Sequence, residues 1–212
     1  AEYFKYSYVP SPLSIYKNVY KLEPGTYIQL DQSSSFQKIT CKKKYWSFHD
    51  ILVKNKNNKF SSKDDAISAL EKALSESIKS QMISDVPLGV FLSGGIDSSL
   101  VASLSQQHSI EPIKTFTIGY HESSFDESSY ALGVANALNT SHSKINVTEE
   151  DAMQLVSKLP LIYDEPFADS SQIPTYFVCK AAKNKVTVAL SGDGADELFG
   201  GYNRYISSES IW

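Results

Sequence analysis

The pattern of apolar and polar positions changes twice along the chain, near residue 48 and near residue 63. Residues 1–48 hold short apolar runs separated by turn residues, including strand-like segments at 26–30 and 36–41. These segments predict β-rich structure with little core of its own. Residues 49–62 are rich in Lys, Asn and Ser, which is typical of a surface connection. We therefore predict a linker over 49–62 that separates a first domain, 1–48, from a second.

Residues 63–212 alternate between helical and strand-like patterns. Ser62 is a candidate N-cap, and apolar residues recur at helical spacing from Ile67 to Ile78. Four short apolar runs predict buried strands, at 88–92, 115–119, 144–147 and 186–190. Segments of helical period lie at 98–107, 127–139, 148–158 and 171–183. This alternation predicts an α/β fold with a doubly wound parallel sheet.

Composition narrows the range of partners and compartments. The chain has 20 basic and 24 acidic residues, a net charge of -4 and no Lys or Arg block of the length that marks a binder of the phosphate backbone, so nucleic acid is not an expected partner. No apolar run reaches the roughly 18 residues that span a membrane, and the first residues lack a signal-peptide pattern. Cys41 and Cys179 are too far apart to indicate a disulfide scaffold or a zinc site. We therefore predict a cytoplasmic protein that contacts no membrane.

The most informative segment, LSGGIDSS at residues 92–99, follows the first predicted strand and opens a helix. Ligands bind at this position in open α/β sheets. Gly94 and Gly95 permit positive φ and close backbone approach, and the helix N-terminus offers amides to phosphate. The alternative is a glycine-rich turn with a polar cap. The Lys of a Walker A loop is absent, and Asp97 in a phosphate site is better explained as a Mg²⁺ ligand.

A second segment of the same kind, SGDGADE at residues 191–197, follows the last predicted strand. The two loops meet if the first and fourth strands lie side by side, as they do in a common strand order of such sheets. Asp97 and Asp196 would then share one cation across a polyphosphate, as metal-assisted phosphoryl or nucleotidyl transfer requires. The alternative is an ordinary acidic helix start, in which Asp193 interacts with the helix dipole.

Residues 84–205 resemble the synthetase domain of the glutamine-hydrolysing asparagine synthase family. The resemblance rests on five motifs in the family's order: SDVPLGVFLSGGIDSSL, FTIGY, FDESSYA, YDEPFADSSQIPTY and LSGDGADELFGGYNRY. Residues 1–48, with PSPLSIYKNVYKLEPGTYI, resemble the end of that family's glutaminase domain, a class II glutamine amidotransferase domain. The resemblance implies a PP-loop fold of the adenine nucleotide alpha hydrolase-like type over 63–212, with ATP as the nucleotide.

The resemblance also implies roles for individual residues. The positions that match the pyrophosphate-gripping motif are Ser93, Gly94, Gly95, Asp97 and Ser98. The positions that match those beside the adenine are Leu92 and Ile118, and those that match nucleotide-contacting backbone are Ser191 and Gly192. Asp193 matches a catalytic carboxylate associated with the acyl-adenylate, and Asp97 and Asp196 match Mg²⁺ ligands. Residues 164–171 flank the acyl-acceptor pocket by the same resemblance, and the alternative is an ordinary capped loop ahead of a helix.

The implied reaction is ATP-dependent amide formation. The side-chain carboxylate of aspartate attacks the α-phosphorus of ATP, giving an acyl-AMP and pyrophosphate, and ammonia from glutamine displaces AMP to give asparagine. Two alternatives stay open: a relative that activates another carboxylate, such as a sugar acid or a ring-closing substrate, and a nucleotide-binding module without turnover. The assembly state is open, a homodimer included. The family's N-terminal nucleophilic cysteine is missing at Ala1, and its later basic residue lies beyond Trp212. We therefore expect the 212-residue chain alone to be inactive.

Overall fold

The computed structural model of the protein describes residues 1–31, 38–120 and 126–208. The strands are β1 Thr26–Asp31, β2 Lys38–Lys44, β3 Leu88–Phe91, β4 Lys114–Tyr120, β5 Ser141–Val147 and β6 Val188–Leu190. The helices are α1 Glu2–Tyr6, α2 Phe48–Asn55, α3 Lys63–Gln81, α4 Ile96–Gln107, α5 Ser128–Ala137, α6 Glu149–Val156, α7 Leu159–Ile162, α8 Gln172–Ala182, α9 Ala195–Phe199 and α10 Asn203–Ser208.

The chain divides into two compact units, and the first comprises Ala1–Ala66 and Lys158–Asp169. In it β1 pairs antiparallel with β2, so the two predicted strand segments form this two-stranded sheet; positions 36 and 37 lie outside the described residues. Val9 is the one buried apolar residue in the described part of this unit, as the expectation of little core implied. Part of the predicted linker is helical, because Ser47 caps α2 by accepting a hydrogen bond from the Asp50 N–H at 3.3 Å.

The second unit comprises Ile67–Ser157 and Ser170–Trp212 and contains a four-stranded parallel sheet in the order β5-β4-β3-β6. The first and fourth predicted strands are therefore neighbours. Strand β5 begins three residues earlier than its apolar run, since the Ser141 N–H donates to the Ile113 carbonyl at 2.8 Å. Strand β6 begins two residues later than its run, because the Val186 N–H still bonds the Ala182 carbonyl at the end of α8.

Helices cover both faces of this sheet, which confirms the doubly wound α/β fold. On one face, Val90 and Leu92 pack with Ala102 of α4 and Ala131 of α5. On the other face, Phe116 packs with Ala182 of α8 and with Val186. In the part of the chain that the structure describes, no helix is both long and apolar enough to cross a membrane.

Candidate functional site

The first loop of the candidate site leaves the sheet at Leu92. Leu92 is buried, and its N–H donates to the Phe116 carbonyl at 2.9 Å. Gly94 then adopts φ 86°, and a Cβ there would lie 2.6 Å from both the Ala131 nitrogen and the Tyr130 Cβ. Both the conformation and the space therefore require glycine. The sequence analysis did not predict that Tyr130 and Ala131 pack against Gly94. The signal that could have indicated it is the FDESSYA motif, which contains both residues.

Two serine hydroxyls brace the turn that follows. The Ser98 hydroxyl lies 2.9 Å from the Ser93 hydroxyl, accepts from the Ser93 N–H at 3.2 Å and donates to the Gly95 carbonyl at 3.3 Å. The Gly95 N–H donates to the Ser93 hydroxyl at 3.2 Å. Ser98 is buried, so these bonds hold the turn from within. Helix α4 begins at Ile96 without a side-chain cap, which leaves its N-terminal end suited to an anion.

The second loop follows β6 and opens α9. The Ser191 hydroxyl donates to the Asp193 carboxylate at 3.0 Å, and the Asp193 N–H donates to the Ser191 hydroxyl at 3.4 Å. Gly194 adopts φ 92° and precedes the first residue of α9. The exposed carboxylate of Asp193 is therefore held close to the loop backbone rather than extended from it.

Gly192 is where the two loops meet. A Cβ built on Gly192 would lie 2.9 Å from the Ser98 nitrogen and 3.1 Å from the Asp97 Cβ. The absence of a side chain at this position lets the second loop reach the first turn of α4. The structure thus brings Asp97, Ser98 and Gly192 together at the carboxyl edge of adjacent strands β3 and β6, as the strand-order argument predicted.

The carboxylates of Asp97 and Asp196 occupy the first turns of α4 and α9, and both residues are half-buried. Asp196 contacts Gly201 beyond the end of α9. Across residues 1–31, 38–120 and 126–208, no group of three or more His, Cys, Asp or Glu side chains could hold a metal ion. Mg²⁺ keeps several waters and binds through one or two carboxylates together with substrate phosphates, so a site for it needs no closed cage of protein ligands.

Ile118 lies near the carboxyl end of β4, half-buried, in register with Ile145 of β5. The next residue, Gly119, lies against the side chain of Lys144, whose ammonium forms an ion pair with Asp126 at 3.3 Å. Asp126 also accepts from the Ser128 N–H at 3.0 Å. The hydrogen bonds from Ser128, with Lys144 beside them, lower the pKa of Asp126 to about 2. Sequence reasoning assigned Lys144 no role, because nothing in its local pattern signals a contact across strands.

Cys179 of α8 lies close enough to Asp193 to respond to its charge. Burial first, and the Asp193 carboxylate second, raise the pKa of the Cys179 thiol. The thiol is thus kept in its neutral form beside that carboxylate. Helix α8 and the second loop both belong to the second compact unit, and β6 connects them along the chain.

The fold and the paired loops define a class of protein: α/β proteins that bind nucleotides at the carboxyl edge of a parallel sheet. Residues 69–212 match the family model described as asparagine synthase. The chain belongs to the asparagine synthase family.

Similar proteins include two microbial synthetases. The putative asparagine synthetase [glutamine-hydrolyzing] 2 of Methanocaldococcus jannaschii is 39% identical over 97% of this chain and 38% of its own length. Asparagine synthetase [glutamine-hydrolyzing] 1 of Bacillus subtilis is 37% identical over 96% of this chain and 30% of its own length. The chain thus spans less than two-fifths of these relatives. Among solved structures, an NH3-dependent NAD synthetase from Campylobacter jejuni is 19% identical, with a TM-score of 0.45 over 64% of this chain and 60% of that one.

Proposed function

We propose that this chain forms the ATP-binding part of a cytoplasmic ligase that adenylates the side-chain carboxylate of aspartate for attack by glutamine-derived ammonia. The observation that carries the proposal is the meeting of the two loops, where Gly192 contacts Asp97 and Ser98. Family membership supports the ligase class, and the names of the relatives support aspartate and glutamine as substrates of the whole protein.

The first loop holds the leaving group in this proposal. Ser93, Gly94, Gly95 and Ser98 present hydroxyls and backbone to the pyrophosphate part of ATP, and the N-terminal end of α4 faces its negative charge. The hydroxyl network of Ser93 and Ser98 fixes this turn before ATP binds. Pre-set donors stabilise charge that builds on the departing pyrophosphate without rearranging during the reaction.

The remaining site residues orient the nucleotide and the acyl-adenylate. Leu92 and Ile118 flank the adenine, and Ser191 and Gly192 contact the nucleotide. Asp193 lies where the acyl-adenylate forms. Asp97 and Asp196 would hold Mg²⁺, which when bound neutralises charge on the polyphosphate.

The test is product analysis with the full-length protein, ATP, aspartate and ammonia. The proposal predicts equal amounts of AMP, pyrophosphate and asparagine. Formation of ADP and phosphate would show transfer of the γ-phosphoryl group, which the proposal does not allow. ATP binding without any product would favour the nucleotide-binding module instead.

A further inference from the structure

A second set of polar contacts lies away from the two loops, inside the first compact unit. It joins residues 7–21 to residues 163–168. The Ala168 N–H donates to the Ser7 carbonyl at 2.8 Å. The Ile15 N–H donates to Glu165 Oε1 at 3.2 Å, across 150 positions of sequence. Two hydrogen bonds therefore connect segments that are far apart in the sequence.

Glu165 provides the charged part of this contact. Its Oε2 forms an ion pair with the Lys21 ammonium, which also donates to the Val9 carbonyl at 2.6 Å. The hydrogen bond from Lys21 holds the pKa of Glu165 below its ordinary value. The Glu165 side chain is 19% exposed, whereas the partners in the Lys42–Glu23 pair of the same unit are 53% and 48% exposed. The Glu165–Lys21 pair is thus less exposed than the Lys42–Glu23 pair. Exposed ion pairs contribute little to the stability of a protein.

The pair lies in the wall of an open surface pocket of about 420 Å³. Most of the other lining groups are apolar or aromatic: Tyr16, Val19, Tyr20, Tyr163 and Phe167. Tyr163 and Phe167 contact edge to face, with ring centroids 5.0 Å apart. The Lys21 side chain is 37% exposed, so water shares in solvating its charge. Neutralising Glu165 would leave Lys21 without its carboxylate partner and weaken the charged part of the contact.

We propose that Glu165 is a positioning residue that anchors residues 163–168 to the N-terminal segment and so holds them for binding of the acceptor carboxylate. The inference rests on the proposed function, because only the family resemblance puts residues 164–171 beside the acceptor pocket. None of the residues proposed to contact ATP lies within residues 163–168. Loss of the Glu165 anchor is therefore expected to affect the acceptor and to leave ATP binding unchanged.

The experiment uses the full-length protein with the variants Glu165→Gln, Lys21→Gln and the exchange Glu165→Lys with Lys21→Glu. Carboxylate-dependent exchange of pyrophosphate into ATP gives kcat and KM for acceptor and for ATP. We expect Glu165→Gln to raise the acceptor KM about tenfold, as loss of a sheltered charged hydrogen bond implies, with the ATP KM unchanged. The double variant that exchanges the two charges should recover part of the increase in acceptor KM. Lys42→Gln, in the exposed pair, is the matched control and should leave the acceptor KM as it is.

Hydrogen–deuterium exchange separates failure of this inference from failure of the proposed function. Glu165→Gln should speed exchange within residues 163–171 and leave β3 and β4 protected as in the unchanged protein. If the unchanged protein supports no carboxylate-dependent exchange of pyrophosphate, the proposed function fails, and the anchoring is judged on deuterium uptake alone. The inference is overturned if the protein is active and Glu165→Gln leaves the acceptor KM unchanged. It is also overturned if Lys42→Gln changes the acceptor KM as much as Glu165→Gln does.

Discussion

A side chain at position 192 would overlap the first turn of α4, because its Cβ would lie 2.9 Å from the Ser98 nitrogen. Gly192 therefore sets how closely the two loops approach. Position 133 is the natural comparison, since a Cβ on Gly133 meets nothing within 4 Å and the residue is exposed in α5. The two glycines are thus expected to respond oppositely to the same substitution.

We expect Gly192→Ala to weaken ATP binding by about 5- to 150-fold, because forcing a methyl group into a packed contact costs about 1–3 kcal/mol. Gly133→Ala should instead stabilise α5 by up to about 1 kcal/mol, since alanine favours helix, and leave ATP affinity unchanged. Titration calorimetry and thermal unfolding of the full-length protein measure both effects. Equal ATP affinity in the two variants would show that the loops need not touch.

The carboxylates give a second prediction at this scale. Asp97→Asn and Asp196→Asn should each lower Mg²⁺-dependent adenylation at least about 100-fold, because each removes a charged oxygen ligand from the cation. Asp64→Asn, on the exposed first turn of α3, is the control. Circular dichroism checks that the fold persists. Full pyrophosphate release by either site variant would rule out a shared ion at these residues.

At the scale of elements, Asp126 fastens the start of α5 to β5 through Ser128 and Lys144. Its pKa is lowered from 3.8 to about 2, so the stabilisation is present above the unfolded value and is lost as the pH falls from 3.8 towards 2. Asp126→Asn should therefore lower the melting temperature at neutral pH, with the difference from the unchanged protein shrinking in acid. Glu127→Gln, which makes no capping bond, is the matched control. A difference independent of pH would contradict the assignment.

The elements themselves were largely predictable. Buried strands of a parallel sheet are short apolar runs, and the helices between them carry apolar stripes, so local pattern located β3, β4 and α4 within two residues. The differences between the predicted and observed elements have identifiable causes. Polar Ser141 enters β5 through a backbone bond to Ile113, and α2 forms within a Lys- and Asn-rich stretch because Ser47 caps it.

The positions of the two loops were predictable, and their contact was predictable only on the condition that the first and fourth strands are neighbours. Glycine and carboxylate motifs after strands mark both loops, whatever the tertiary arrangement. The approach of Gly192 to Ser98 depends on β6 lying beside β3, and strand order is not encoded in local periodicity. The packing of Tyr130 on Gly94 arises in the same way, from a crossover that returns α5 to the first loop.

At the scale of the whole molecule, the proposed chemistry requires three activities to be coupled: ATP binding, carboxylate activation and ammonia delivery. The second compact unit contains both loops of the candidate site. The first unit contains the Glu165 contacts that anchor residues 163–168 to the N-terminal segment. The domain division at 49–62 stays a prediction, since compactness of the fold does not by itself define where a domain ends.

The most direct test of the account is exchange of labelled pyrophosphate into ATP by the full-length protein, without ammonia, across a panel of carboxylic acids. The panel holds aspartate, glutamate, a sugar acid and an amino acid able to close a ring. The account predicts Mg²⁺-dependent exchange with aspartate at least about tenfold faster than with any other acid, because a site built for one carboxylate geometry discriminates by polar contacts. Exchange that prefers another acid, or none with any acid while ATP binds, would contradict it.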